Sequence, residues 1–203
     1  LIPKEADADI IQKFRPIALT NCSFKIFAKC LANQLGDIGD DIISQNQTAF
    51  IKGRYIVESV VTAHEIIHDA VTNNREGFVF KLDYEKAYDR VSKEFLLKIM
   101  YQRGFSPKWM KKVESLLYKS SVGVTINDCN SVFFETFKGV RQGDPASPML
   151  FNLVADVFSR MLNKAANNNM LTGMMSNIFA QGIISLQYAD DTLLFLENSL
   201  ESA

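Results

Sequence analysis

The chain is expected to be an α+β protein with a mainly antiparallel sheet, on three observations. Helix-period and strand-period apolar patterns alternate irregularly along the 203 residues, and two pairs of neighbouring strand patterns read as hairpins. A hydrophobic content of 47% is enough to bury a sizeable core.

Residues 23–35 (SFKIFAKCLANQL) read as a helix with Phe27, Leu31 and Leu35 on one side. Residues 55–72 read as a longer helix, because Ile56, Val60, Ala63, Ile67 and Val71 recur at spacings of four, three, four and four. Gly77 then breaks the chain before FVFKLD, a strand with Phe78, Phe80 and Leu82 on one face and Val79, Lys81 and Asp83 on the other. Helices follow at about 93–102 and 107–118, the second opened by a Ser106 cap and Pro107 in the first turn. SVGVTIN and SVFFETF are strand candidates, with Asp128-Cys129-Asn130 as the turn between them. Beyond the GVRQGDP loop, 147–166 is a long apolar helix. IISLQY and TLLFLE, joined at Asp190, form the second hairpin.

Charge and composition belong to a folded protein. With 22 Lys+Arg against 23 Asp+Glu the net charge is -1, so any binding to a polyanion must come from a local basic surface. Cys22, Cys30 and Cys129 form no CxxC pair; they read as reduced core thiols of an intracellular protein, without disulfides. No apolar run reaches the roughly 18 residues of a membrane span, and no signal peptide opens the chain. The sequence starts at Leu1 and stops eight residues past Phe195, as a piece of something longer would.

LQYADDTLLF sets Asp190 and Asp191 side by side between apolar runs. Asp favours turns, so the pair is open to reading as a hairpin turn alone. KLDYEKAYDRV changes that, because Asp83 ends a strand pattern. If this strand lies beside the 186–196 hairpin, three carboxylates share one site and need cations to neutralise them. Hard oxygen ligands suit Mg²⁺, and two such ions about 3.5–4 Å apart serve in-line phosphoryl transfer. In GVRQGDPASPMLFNL, Gly143 permits close backbone approach to a ligand and the following helix start offers free N–H groups; a plain turn before a capped helix is the alternative. Lys4 and Arg15 would suit a triphosphate, or form a solvated basic edge.

Taken in order, LIPK, FRPIALTN with FKIFAKCLANQL, QTAFIKGR, KLDYEKAYDRV, GVRQGDPASPMLF and QYADDTLLF resemble the reverse transcriptase of a plant-type non-LTR (LINE-like) retrotransposon. The resemblance implies a right-hand polymerase: fingers from residues 1–76 and a palm from 77–203, with an antiparallel palm sheet packed on helices and the thumb absent. It implies RNA-directed DNA synthesis, in which Asp83, Asp190 and Asp191 hold two Mg²⁺ ions (Mn²⁺ as substitute) while a DNA primer 3′-hydroxyl attacks a dNTP on an RNA template. Tyr88 matches the steric gate against the ribose 2′-hydroxyl. Gln142 and Gly143 match the loop against the incoming nucleotide, Arg15 and Lys4 match finger residues on the triphosphate, and Tyr188 would lie near the primer end. Asp89 reads as structural. Ala146 stands where the family has Leu, and Gln34 where a basic residue is common. The resemblance also implies action in the nucleus, and places the endonuclease and thumb outside this segment, which alone is expected to polymerise poorly. A catalytically dead remnant that binds RNA is the competing reading.

One further motif belongs to another class. AHEIIHDA carries His64-Glu65-Ile66-Ile67-His68, a literal H-E-x-x-H zinc-peptidase signature. Its extended form lacks the glycine and third histidine, at Val71 and Asn74, and Glu85 or Glu94 would have to be the third ligand. The expectation is that His64 and His68 are partly buried packing residues.

Overall fold

A computed structural model describes residues 1–118, 121–126 and 129–198. In chain order the elements are β1 (Ile2–Pro3), β2 (Phe14–Arg15), α1 (Cys22–Ile42), α2 (Ile56–Thr72), β3 (Gly77–Leu82), α3 (Ala87–Arg90), α4 (Lys93–Gln102), α5 (Pro107–Tyr118), β4 (Ser121–Val122), β5 (Thr125–Ile126), β6 (Cys129–Asn130), β7 (Phe134–Glu135), α6 (Ser147–Asn167), β8 (Ser185–Tyr188) and β9 (Asp191–Glu197). Every pair of named strands is antiparallel. The mixed class expected from the patterning is what forms. Two compact units interleave along the chain: Leu1–Leu35 with Lys86–Phe151, and Gly36–Glu85 with Asn152–Ala203.

In the first unit, side-chain caps define the helix starts. Asn21 Oδ1 accepts from the Phe24 N–H at 2.9 Å, and Ser92 Oγ accepts from the Phe95 N–H at 3.2 Å. Ser106 Oγ accepts from the Trp109 N–H at 3.3 Å, just before Pro107. Helices α4 and α5 pack together and bury Leu96, Ile99 and Met100 with Val113, Leu116 and Leu117. The Trp109 indole N–H donates to Gln34 Oε1 at 2.8 Å, so this glutamine has a structural partner. Lys93 is buried. Its Nζ donates to the Thr136 carbonyl and lies 5.0 Å over the Tyr118 ring, and desolvation pulls its pKa down.

The second unit centres on a three-stranded sheet in the order β3-β9-β8. Helix α2 packs against β8, and Ile66, Met174 and Phe195 form a buried cluster with Ala63, Ala70, Leu186 and Leu193 around it. Helix C-termini leave carbonyls without helical partners, and Arg54 supplies donors to the Asp40 carbonyl in the last turn of α1 at 3.2 Å and to the segment just beyond it. Its guanidinium donates to the carbonyls of Ile43, Ser44 and Gln47 at 2.9, 2.7 and 2.8 Å, and to Asp40 Oδ1 at 2.6 Å.

Several expectations are corrected at the level of packing. The α2 stripe of Ile56, Val60, Ile67 and Val71 is exposed, and the buried line is Ala63, Ile66 and Ala70. The same exposed side carries His64 and His68, which are not packing residues; their rings stack on each other with centroids 6.2 Å apart. Phe78, Val79 and Phe80 are all about half exposed, so β3 has no buried apolar face, and Phe78 and Phe80 stack instead. Phe27 is partly exposed while Leu31 and Leu35 are buried. All three cysteines are exposed and none is a core thiol. In the first hairpin, Cys129 and Asn130 lie in a strand and not in the turn, with β5 pairing β6 and β4 pairing β7; Asp128 lies outside the described residues. Among the described residues no helix is long and apolar enough to cross a membrane.

The loop before α6 has a conformational requirement. Gly139 has φ +88°, and a Cβ there would come within 2.9 Å of the Asp89 carbonyl oxygen, so only glycine fits. Asp144 Oδ1 accepts from the Ala146 N–H at 2.8 Å, tying the loop to the start of α6. Its other oxygen is buried without a hydrogen-bond partner, and desolvation pushes the carboxyl above its ordinary value. A raised folded-state pKa means that this group favours folding in acid and loses that contribution as pH rises through the folded value. Asp144→Asn keeps the oxygen that binds Ala146 and removes the charge. Thermal unfolding should therefore show the variant gaining stability relative to the parent between pH 4.5 and pH 7.5; a variant that falls behind over that interval would contradict this account.

Candidate active site

Antiparallel pairing brings the aspartates to one end of one sheet. The β3–β9 register runs from Gly77 opposite Glu197 to Leu82 opposite Thr192, so the next positions along are Asp83 and Asp191. Across the other side of β9, Tyr188 pairs with Asp191, which leaves Ala189 and Asp190 as a two-residue hairpin loop. The expected pairing of the Asp83 strand beside the Asp190–Asp191 hairpin is therefore present. Asp83 and Asp191 are exposed and Asp190 is half-buried.

Carboxylates are the donors a hard divalent cation takes, and the backbone delivers three of them to one sheet end, so the donor set fits. The side chains themselves do not converge: among the described residues no three His, Cys, Asp or Glu side chains are grouped closely enough to hold a metal ion. Unneutralised carboxylates repel one another, and Asp191 Oδ1 instead lies 3.3 Å from Lys81 Nζ, with both side chains exposed. An exposed pair of this kind is worth about 0–1 kcal/mol, little enough for a cation to displace.

Beneath the turn lies a buried polar network. Gln47 is fully buried, and its Oε1 accepts from the backbone N–H groups of Ala189 and Ala49 at 2.9 and 3.0 Å. Its Nε2 donates to the Ala189 carbonyl at 3.1 Å, so one amide grips both backbone groups of that residue. Ala189 has φ +55°, the left-handed region that an L-residue enters at a cost of roughly 1–2 kcal/mol. Two hydrogen bonds worth about 0.5–1.5 kcal/mol each offset that strain, and the amide's own burial requires them. Gln187 continues the network. Its Oε1 accepts from Ser159 Oγ at 2.7 Å and its Nε2 approaches Thr192 Oγ1 at 3.4 Å. Burial raises the Tyr84 pKa, and the nearby Thr192 side chain opposes that shift. The backbone neighbours of Asp190 and Asp191, Ala189 and Thr192, are thus tied to side chains that do not ionise at neutral pH.

The other predicted residues, apart from Tyr188, belong to the first unit. Gln142 joins the RPIALTN segment to the loop: the Ala18 N–H donates to its carbonyl at 2.9 Å, and its Nε2 reaches Asp89 Oδ1 at 3.4 Å. Gly143 has φ +93°, with Ala18 close by. Tyr88 stacks on Phe151 at 4.8 Å, and its carbonyl accepts from the Val140 N–H at 2.9 Å. A cleft of about 770 Å³ is bordered by Pro16 to Asn21, Phe24, Asp89, Lys138 and Arg141 with Gln142; Lys4, Arg15, Tyr88 and Gly143 are not among the residues that line it. Arg141 stacks over Phe24 at 4.6 Å. Lys4 is exposed and donates to the Gln12 carbonyl at 3.2 Å, and Arg15 is exposed on β2. Tyr188 is partly exposed on β8.

The zinc reading loses its ligand set, because neither Glu85 nor Glu94 joins His64 and His68 in a group of three. What sequence reasoning missed is the amide network. Gln47 and Gln187 are uncharged, and the only available signal was their placement in QTAFIKGR and directly before the YADD turn.

Comparison with known proteins identifies the family and the fold. Residues 2–202 match the family described as reverse transcriptase (RNA-dependent DNA polymerase). The chain is 30% identical over 198 residues to a retrovirus-related Pol polyprotein from the type-1 retrotransposable element R2 of Nasonia vitripennis, covering 97% of this chain and 18% of that protein. It is 27% identical over 201 residues to the transposon TX1 149 kDa protein of Xenopus laevis, covering 99% of this chain and 15% of that one. The chain thus spans less than a fifth of the length of these relatives. Among solved structures, telomerase from Candida albicans aligns with a TM-score of 0.58 at 12% identity, over 88% of this chain and 31% of that one. Apo telomerase from Candida tropicalis aligns at 0.54 and 14% identity, over 89% and 34%. The fold is accordingly that of the fingers and palm of such enzymes, and the chain belongs to the reverse transcriptase family, as a domain of the kind found in non-LTR retrotransposons.

Proposed function

We propose that this chain is the polymerising core of a LINE-like retrotransposon protein of the plant type, acting in the nucleus as an RNA-directed DNA polymerase. Family membership supports the reaction, and the ordered set of six motifs supports the finer type. The observation that carries the mechanism is the β3–β9 register, which sets Asp83 and Asp191 at adjacent strand ends beside Asp190. Residues 1–76 serve as fingers and 77–203 as palm.

In this reading a primer 3′-hydroxyl attacks the α-phosphate of a template-paired dNTP. A new P–O bond forms as the bond to the pyrophosphate oxygen breaks, and the hydroxyl proton leaves to solvent. Asp83, Asp190 and Asp191 would hold two Mg²⁺ ions, or Mn²⁺ as substitute, and bound cations there would supply activation of the attacking oxygen and charge neutralisation at the leaving one. The protein's own task is positioning and charge placement. The resemblance would assign Tyr88, whose ring stacks on Phe151, to the sugar, Gln142 and Gly143 to the nucleotide, Arg15 and Lys4 to the triphosphate, and Tyr188 to the primer end. Since the chain spans under a fifth of those two relatives, the segment alone is expected to extend primers poorly or not at all.

Primer extension on an RNA template by the full-length protein should fall by roughly a thousandfold or more in Asp190→Asn, because the step depends on held charge. A near-normal rate in that variant would remove the metal assignment. No extension even by the unsubstituted protein would favour an inactive remnant. Tyr88→Val should lower the preference for dNTP over rNTP by roughly tenfold or more, as loss of a steric contact at the sugar predicts. Unchanged sugar discrimination would release Tyr88 from the gate.

A further inference from the structure

The catalytic reading uses three carboxylates and leaves unexplained why an uncharged glutamine is buried beneath them. Gln47 lies well over a hundred residues from the turn in sequence, and its side chain binds both the N–H and the C=O of Ala189. We propose that Gln47 is the positioning residue of the Asp190–Asp191 pair: its amide holds Ala189 in the left-handed conformation and so sets where both carboxylates stand. The proposal rests on the assignment of those aspartates to cation binding.

Four observations carry it. The loop has only two residues, so the φ of Ala189 directs the chain into Asp190. Alanine does not enter this region unaided, and an over-determined strained residue points to a constraint nearby. The constraint is itself anchored. Gln47 pairs with Gln187 as an isolated parallel bridge, in which the Gln187 N–H donates to Asn46 O at 2.7 Å and the Thr48 N–H to Gln187 O at 3.0 Å. Arg54 holds the Gln47 carbonyl from the other side at 2.8 Å. Finally, the side chain that grips Ala189 is neutral: a charged residue here would alter the field at the carboxylates, whereas an amide fixes geometry and leaves charge unchanged.

The test uses Gln47→Met in the full-length protein, a side chain of similar length without the donor and acceptor. Amide hydrogen exchange in metal-free protein is the first readout. The Ala189 amide should be protected in the parent and exchange at least tenfold faster in the variant, while the Gln187 amide, bonded to Asn46 O, stays protected. Uniform loss across both positions would mean general loosening and would overturn the positioning role. Fast exchange at Ala189 in the parent would overturn it whatever the variant does.

The second readout is the kinetic split. Loss of a residue that orients ligand groups typically costs about 10–100-fold in activity or metal affinity. The variant should therefore lose that factor in kcat and need more Mg²⁺ for half-maximal rate, with the dNTP KM changed by less than about twofold. Replacing Ala189 by glycine in the Gln47→Met background should recover part of the rate, since glycine enters the left-handed region freely. An Asp190→Asn protein measured beside it separates the two ideas. If Asp190→Asn stays active, the cation assignment fails on its own. If Asp190→Asn is inactive while Gln47→Met keeps its rate and its Ala189 protection, the aspartates stand and the role given to Gln47 falls.

Discussion

Six consecutive backbone pairs hold β3 against β9, and the end of that ladder is where Asp83 and Asp191 come next in register. A strand side chain changes face at every residue, so a slip of one position would send Asp83 away from Asp191. Register is usually enforced by a buried apolar face, yet here Phe78, Val79 and Phe80 are all half exposed. The ladder is held from its β9 side, where Phe195 is fully buried against Ile66 and Met174 and Thr192 is buried beside the polar network. β9 is thus the fixed strand, and β3 brings Asp83 to it.

A site of clustered negative charge works against folding, because like charges repel and gain nothing from burial. The second unit answers this by placing neutral hydrogen-bonding groups beneath the carboxylates and leaving the carboxylates at the surface. Gln47, Gln187, Ser159 and Thr192 are all buried, and each has a hydrogen-bond partner. Such networks specify one arrangement when every member is satisfied. Stability and charge placement are therefore assigned to different residues: the amides determine where the backbone goes, and the aspartates contribute charge at its end.

Much of this was legible from residues alone, for a physical reason. Helices α1, α4, α5 and α6 announced themselves through apolar spacing and caps such as Ser106-Pro107, signals that lie within one turn of chain. The pairing that brings Asp83 beside the Asp190–Asp191 turn was legible because Asp83 ends a strand pattern and the two aspartates interrupt a pair of apolar runs. Packing partners were not. The α2 stripe ending at Val71 has helical spacing yet faces solvent, since period says which residues share a side and not whether that side is covered. Cys22, Cys30 and Cys129 were misplaced in the core for a similar reason: burial is a tertiary fact. The amide grip on Ala189 was invisible because it joins residues 142 positions apart through neutral atoms.

The central claim is that one sheet end, formed by β3, β9 and the loop before β9, gathers Asp83, Asp190 and Asp191 around divalent cations. A crystal structure of the full-length protein with an RNA template, a terminated DNA primer, a matching dNTP and Mn²⁺ tests it most directly through the anomalous signal of the metal. The account predicts manganese peaks in contact with Asp83 and the Asp190–Asp191 pair, with Lys81 withdrawn from Asp191. Manganese bound elsewhere, with the three carboxylates still apart, would contradict it.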